Sequence, residues 1–358
     1  MELLSSQLSS IVLTVGPDYK NHRGGVGAVI SVYSKYFGVF NFIPSYKVGS
    51  GFYKSYIFFK SIFKLIFILI SNRRIKIIHI HGASNSSFYR KFIIFLICRY
   101  IFRKKIVYHI HGGGFGDFYK KSGSFSKRLI RILLNNSDCI ITLSQSWYKY
   151  FKDNFNIKML VVLPNIIDYP HKLQRTTSPD LLTFLFFGLI CEAKGIFDLL
   201  TVIENNKVDY RSRMKLLIGG NGDTQKLKTL INEHQTGDII ECLGWVDNEK
   251  KSEAFNNSDV FILPSYTEGL PISILEAMSY GKAIIATDVG GVSEIVRENE
   301  NGILIEPGNL RQIELAINNM LDHKDLVKRF GEVSELHVQK YLPDEVLKKL
   351  DEIYKSLL

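Results

Sequence analysis

The sequence predicts an α/β chain made of two Rossmann-like, doubly wound domains facing a cleft. Three observations carry this. Near-continuous apolar runs alternate with helix-like stretches in both halves, the pattern of parallel strands covered on both faces. The alternation lapses between about Asp168 and Pro179 and then restarts, as a linker between domains would make it do. Charge changes sign at nearly the same place: residues 1–175 hold 26 Lys+Arg and 6 Asp+Glu, a net +20, whereas the remaining 183 hold 19 and 29, a net −10. A chain of 358 residues, 46% of them hydrophobic, has the means to bury two such cores. The predicted domains are 1–175, 176–342 and a short amphipathic helix over 343–358.

In the first half, residues 11–17 read as a buried strand ending in a turn, and Gly24-Gly25-Val26-Gly27 leads into a helix that begins near Ala28. The apolar segment 56–70 contains Lys60 and Lys64 one helical turn apart. It is too short and too interrupted to span a bilayer, and reads either as a core helix or as a helix lying on an anionic membrane surface. Further strands fall at 75–81, 105–111, 139–144 and 159–164. Two of them carry paired histidines, His79 with His81 and His109 with His111, each pair sharing one face of its strand. Nothing in the sequence brings the pairs together, so they read as satisfied structural histidines and no metal is expected, a four-histidine metal site being the other possibility.

The second half repeats the pattern with strands at 181–188, 214–220, 260–264 and 283–287. Ligands of open parallel sheets collect at the carboxyl ends of the strands. The glycine-rich loops, both His-Ile-His-Gly segments and the loop at Glu268 all fall at such ends. Of these, the stretch Thr267-Glu268-Gly269-Leu270-Pro271-Ile272-Ser273-Ile274-Leu275-Glu276 is the most informative. Pro271 predicts the first position of a helix, where its missing N–H costs nothing. The amides of Gly269 and its neighbours then face outward, and a helix N-terminus behind a glycine binds anions. Glu268 and Glu276 are poor phosphate ligands but good acceptors for hydroxyls. A ligand carrying both a diphosphate and polyols, such as a nucleotide sugar, meets both requirements.

With these pieces in place, the chain resembles the GT-B fold retaining glycosyltransferases, in particular glycosyltransferase family 4, over nearly its whole length. The resemblance is strongest from Gly188 to Val296: a Gly-x-x-x-x-x-Lys-Gly loop over 188–195, Gly219-Gly220-Asn221-Gly222-Asp223, the two glutamates, and 281–291 ending in Gly290-Gly291. It implies that Glu276 binds the donor's ribose hydroxyls and that Glu268 holds hydroxyls of the transferred sugar. Lys194 and the amides of Gly269 and Leu270 would neutralise the departing diphosphate, the largest electrostatic task of the reaction. Gly188 and Gly220 would line the donor site. Gly24 and Gly25 resemble the family's loop near the phosphates and acceptor, and His111 resembles the histidine that touches the donor sugar, with His109 as the alternative. Asn165 resembles a structural turn of the family. One position departs from the pattern: the family's arginine after the glycine at 188 is Leu189 here, leaving Arg23 as the candidate replacement cation.

The resemblance further implies retention of anomeric configuration, with the leaving phosphate oxygen taking the acceptor's proton, so no protein base is assigned. No Asp-x-Asp occurs in the chain, nor any Walker, His-Glu-x-x-His or nucleophile-elbow signature. No cofactor and no metal are therefore expected, the nucleotide sugar being substrate. The four cysteines, Cys98, Cys139, Cys191 and Cys242, have no paired or metal-like spacing, which fits a reducing cytoplasm, and the N-terminus carries no secretory pattern. Two basic clusters, Arg99, Arg103, Lys104 and Lys105, then Lys120, Lys121, Lys127, Arg128 and Arg131, fit an anionic membrane surface. The reading is a cytoplasmic enzyme peripheral to the inner face of the cell membrane. It would move a sugar from a UDP- or GDP-sugar to a lipid-linked glycan acceptor of surface polysaccharide such as O-antigen, capsule or exopolysaccharide. The alternatives are a nucleotide-sugar epimerase or hydrolase, or a nucleic-acid-binding protein, for which +20 in one half would serve; the second leaves Glu268 and Glu276 unexplained, so no nucleic acid partner is expected.

Overall fold

A computed structural model describes residues 2–20, 24–47, 49–173, 181–246 and 248–358. The chain forms two compact units, Met1–Asp168 with Tyr341–Leu358, and Tyr169–Lys340. The C-terminal helix Pro343–Ser356 thus belongs to the first unit rather than standing apart. Its Val346, Leu347, Leu350 and Tyr354 are buried, and the Tyr354 hydroxyl meets His79 Nδ1 at 2.6 Å. The linker expected near 168–179 has residues 174–180 outside the described residues.

The first unit holds a six-stranded sheet of β1 (Val12–Pro17), β2 (Asn41–Tyr46), β3 (Ile77–Gly82), β4 (Lys105–Ile110), β5 (Cys139–Thr142) and β6 (Leu160–Val162), in the order β2-β1-β3-β4-β5-β6. The second holds β7 (Leu182–Phe187), β8 (Met214–Gly219), β9 (Ile240–Gly244), β10 (Val260–Leu263), β11 (Ala283–Thr287) and β12 (Gly302–Ile305), in the order β12-β11-β10-β7-β8-β9. Every pairing of these strands is parallel. Parallel strands need helical crossovers, which cover both faces and make the strands apolar throughout; β1, β3, β5, β7, β10 and β11 are buried at every position. The strand order reverses between β1 and β3 in one sheet and between β7 and β10 in the other, the positions where doubly wound sheets bind ligands.

Three strands escape the sequence pattern: β2, β9 and β12. All three are sheet edges and only partly covered; β2 and β9 are of mixed polarity, and β2 contains Pro44, which an edge tolerates. The helix expected near Ala28 starts at Gly25 and runs to Tyr36. The apolar segment at 56–70 belongs to a longer helix, Gly51–Ser71, packed on the sheet through Ile57, Phe58, Leu65 and Leu69. Its outer face is equally apolar and is exposed: Phe52, Tyr56, Phe59, Phe63, Phe67 and Ile70 recur every three or four residues, each at least 59% accessible. A purely internal core helix therefore does not describe it. No helix of the described residues is long and apolar enough to cross a membrane.

Candidate active site

In the second unit, the chain leaves β7 at Gly188, makes a 3-10 turn at Glu192–Lys194 and enters the helix Ile196–Asn205 through Gly195. Gly195 adopts a left-handed φ of 65°, and a Cβ there would lie 1.9 Å from the Pro264 carbonyl oxygen. Only glycine lets this loop press against the end of β10. The consequence is an ion pair at the point where the strand order reverses: Lys194 Nζ lies 2.5 Å from Glu268 Oε1. Ser265 Oγ donates to the same oxygen at 2.8 Å. Glu268 is 9% exposed, so its charge is held by these two donors rather than by bulk water.

The Glu268 loop is braced from behind. Gly291 N–H donates to the Gly269 carbonyl at 2.8 Å, and a Cβ on Gly290, whose φ is 62°, would lie 2.1 Å from the Glu268 carbonyl oxygen. The helix that follows, Ile272–Ser279, has Pro271 as its N-cap rather than as its first residue, and no side chain caps it. Its first-turn amides lack intrahelical partners, which leaves the positive end of the helix for an anion. Glu276 lies on this helix and pairs with Lys251 at 2.5 Å. Leu270 is buried, while Leu189, where an arginine was expected from the resemblance, is 49% exposed. Gly188 and Gly220 meet each other: Gly220, at φ 155°, would place a Cβ 1.8 Å from the Gly188 carbonyl oxygen. That close backbone approach requires glycine at 220.

In the first unit, Gly24 is the extended N-cap of the Gly25–Tyr36 helix. Arg23 lies outside the described residues. The two histidine pairs converge, because β3 and β4 are neighbours with His81 paired to His109, so His79, His81 and His109 share one face and His111 follows just beyond. The expectation of separate pairs is thereby corrected. His111 Nε2 lies 2.8 Å from His81 Nδ1, and its Nδ1 lies 3.2 Å from Asn165 Oδ1. An amide oxygen only accepts, so His111 is protonated on Nδ1 and accepts on Nε2 from His81. Asn165 therefore sets the tautomer of His111 in addition to forming a turn. Burial holds both His79 and His111 down at about 3, so these rings are neutral.

Sequence reasoning missed Ser265 and Lys251. Ser265 sits three residues before Glu268 and is found only once the loop closes on itself. Lys251 lies in Glu249-Lys250-Lys251, which reads as a solvated helix face and offers no signal.

Comparison with known families settles the kinship. The model of the Glycosyltransferase Family 4 domain matches residues 27–169, and that of the Glycosyl transferases group 1 domain matches residues 171–337. The chain belongs to the group 1 and family 4 glycosyltransferases. Among relatives of this glycosyltransferase chain, an uncharacterized glycosyltransferase of Haemophilus influenzae is 27% identical over 241 residues, 64% of this chain and 65% of that one. A provisionally assigned teichuronic acid biosynthesis glycosyltransferase, TuaC of Bacillus subtilis, is 31% identical over 144 residues, 40% of this chain and 34% of that one. The aligned regions thus span from about a third to two thirds of these relatives' lengths. The solved structure of Anabaena Alr3699/HepE in complex with UDP superposes with a TM-score of 0.76 at 16% identity, covering 96% of this chain and 99% of that one. That likeness shows the fold, which is GT-B.

Proposed function

We propose that this glycosyltransferase chain transfers a sugar, with retention and without a catalytic metal, from a UDP- or GDP-sugar to a lipid-linked acceptor in surface polysaccharide synthesis. The observation that carries the reading is the Lys194–Glu268 pair at the strand-order reversal, beside an uncapped helix N-terminus. A diphosphate would draw Lys194 toward itself and accept from the first-turn amides of the Ile272–Ser279 helix. Both interactions strengthen as the phosphate gains charge on departure, which is the condition for catalysis rather than mere binding. Glu268, released from Lys194 and still held by Ser265, would accept from the sugar's hydroxyls. Glu276 would do the same for the ribose. With the departing phosphate oxygen as the proton acceptor, the acceptor hydroxyl reacts without a protein base. The HepE structure with UDP and the name of the TuaC relative favour a nucleotide-sugar donor and a polysaccharide product.

The test is a panel of UDP- and GDP-sugars with a membrane extract as acceptor source. Transfer of one sugar into the lipid fraction is expected, with Glu276→Ala raising the donor KM about tenfold or more, the effect of losing a charged hydrogen bond to a ribose hydroxyl. Donor consumption without acceptor would instead mark a hydrolase or epimerase.

The acceptor and the location at the inner face of the cell membrane rest on the Gly51–Ser71 helix. Its exposed aromatic stripe is accompanied by Lys54, Lys60 and Lys64, and from Tyr19 to Gly116 the sequence has sixteen Lys or Arg and no Asp or Glu. An apolar helix face within a stretch of sequence whose charges are all basic matches an anionic bilayer. Lys127, Arg128 and Arg131 line one shallow groove nearby in sequence, whereas Arg99 and Lys105 are tied to Asp138. The triple variant Phe59→Ala, Phe63→Ala, Phe67→Ala removes only exposed rings. It is expected to keep its melting temperature and to sediment with acidic vesicles at least tenfold more weakly. Unchanged sedimentation would remove the helix from the membrane contact.

A further inference from the structure

We propose that His79, His81 and His109 form a binding site for one divalent transition-metal ion of the zinc class inside the first unit. The three side chains place ring nitrogens within 4.8 Å of one another, and all three are buried. The rings are nearly in contact, with centroids 4.4 Å apart for His79 and His81, 5.5 Å for His79 and His109, and 5.4 Å for His81 and His109.

The hydrogen bonds leave ring nitrogens of the cluster uncommitted. Asn165 Oδ1 takes the proton of His111 Nδ1, His111 Nε2 accepts from His81 Nδ1, and His81 Nε2 is left with a lone pair. His79 Nδ1 meets the Tyr354 hydroxyl at 2.6 Å, and the tautomer that donates to this hydroxyl leaves a lone pair on Nε2. Both Nε2 atoms are buried without a hydrogen-bond partner, and neither ring nitrogen of His109 makes a hydrogen bond of normal geometry; the Leu163 backbone is the one polar group that favours its protonation. Buried polar atoms are ordinarily satisfied, so three clustered imidazoles with spare nitrogens call for an occupant. Metal-binding histidines engage one ring nitrogen with an outer partner and keep the other for the ion, and His79 and His81 each have one nitrogen engaged and one uncommitted.

The electrostatics permit it. Burial keeps the three rings neutral, the state in which imidazole binds metal. Tyr33 lies beside the cluster, its ring 5.6 Å from that of His81, and its buried hydroxyl also has no partner, which makes it the candidate oxygen ligand. Neutral imidazoles with one oxygen suit zinc, cobalt, nickel or copper rather than magnesium or calcium. This site is separate in chemistry from the diphosphate site of the second unit and does not depend on the reading given for it.

The experiment uses full-length protein stripped with EDTA, incubated overnight with Zn2+ or Co2+, desalted and analysed for bound metal, visible absorption and melting temperature. One equivalent per chain is expected, with the visible bands of four-coordinate Co2+ and a melting point raised by roughly 5–10 °C at about a hundredfold excess over Kd. His81→Gln and His109→Gln should lose the metal, while His171→Gln, at an exposed position, should keep it. Less than a tenth of an equivalent on folded wild-type protein, with no shift in melting, would overturn the proposal. So would full binding retained by both cluster variants. The wild-type cobalt spectrum decides the matter even where a variant fails to fold.

Discussion

Lys194→Ala is expected to lower kcat by about 10²–10³-fold, the cost of removing one preorganised donor from a developing oxyanion. The lysine does two things. In the unliganded chain it neutralises Glu268, which is 9% exposed and otherwise supported only by Ser265 among the contacts described above. In the reaction it would follow the charge onto the departing diphosphate. The alanine variant loses the second effect and also leaves Glu268 as an unopposed charge beside an incoming polyanion, so donor KM should rise as well. The double variant Lys194→Ala, Glu268→Gln separates the two roles. If the lysine merely balances Glu268, removing the carboxylate charge restores activity toward the level of Glu268→Gln alone. If it acts on the diphosphate, the double variant stays at least as impaired as Lys194→Ala. Steady-state kinetics on the donor that the sugar panel identifies reads the difference, with melting temperatures showing that each variant is folded.

The second large effect is in stability. In the metal-free protein the first unit should unfold under mild acid. Burial lowers His79 from 6.5 to about 3 and drives His81 and His109 in the same direction. Above pH 6.5 neither the folded nor the unfolded chain protonates these rings, and they contribute nothing. As pH falls below 6.5 the unfolded chain takes up protons that the folded ring refuses until about pH 3, so stability is lost across that window. At pH 5 His79 alone costs about 2 kcal/mol, and His81 and His109 act in the same direction. Melting curves in EDTA at pH 7.5 and pH 5.0 should differ by about 5 °C or more. A difference under about 3 °C would mean that the folded rings protonate freely.

Much of this chain could be read before any coordinates. The strands at 182–187, 260–263 and 283–287 were visible because strands covered on both faces must be apolar at every position. The edge strands β2 and β9 were invisible because an edge is solvated on one side and its mixed pattern resembles a loop. Gly195, Gly220 and Gly290 stood in recognisable spacings, and the structure supplies the reason: each has positive φ and a neighbouring carbonyl oxygen where a side chain would begin. The helix at 51–71 was legible as apolar, but whether its outer face is covered depends on what packs there, which periodicity does not encode.

The sequence by itself determined the α/β class, the division into a basic and an acidic half, and the glycine and glutamate loop on which the proposed diphosphate site rests. These follow from local rules, since burial on two faces, helix entry at proline and left-handed turns at glycine are decided within a few residues. Only the tertiary structure decided that Lys194 and Glu268, 74 positions apart, form one ion pair. It also decided that His79, His81 and His109 form one buried cluster bordered by His111, and that the C-terminal helix closes over His79 rather than standing apart. Such meetings depend on strand order, and β7 lies beside β10, and β3 beside β4, because of how the crossovers wind rather than because of any feature of the strands themselves.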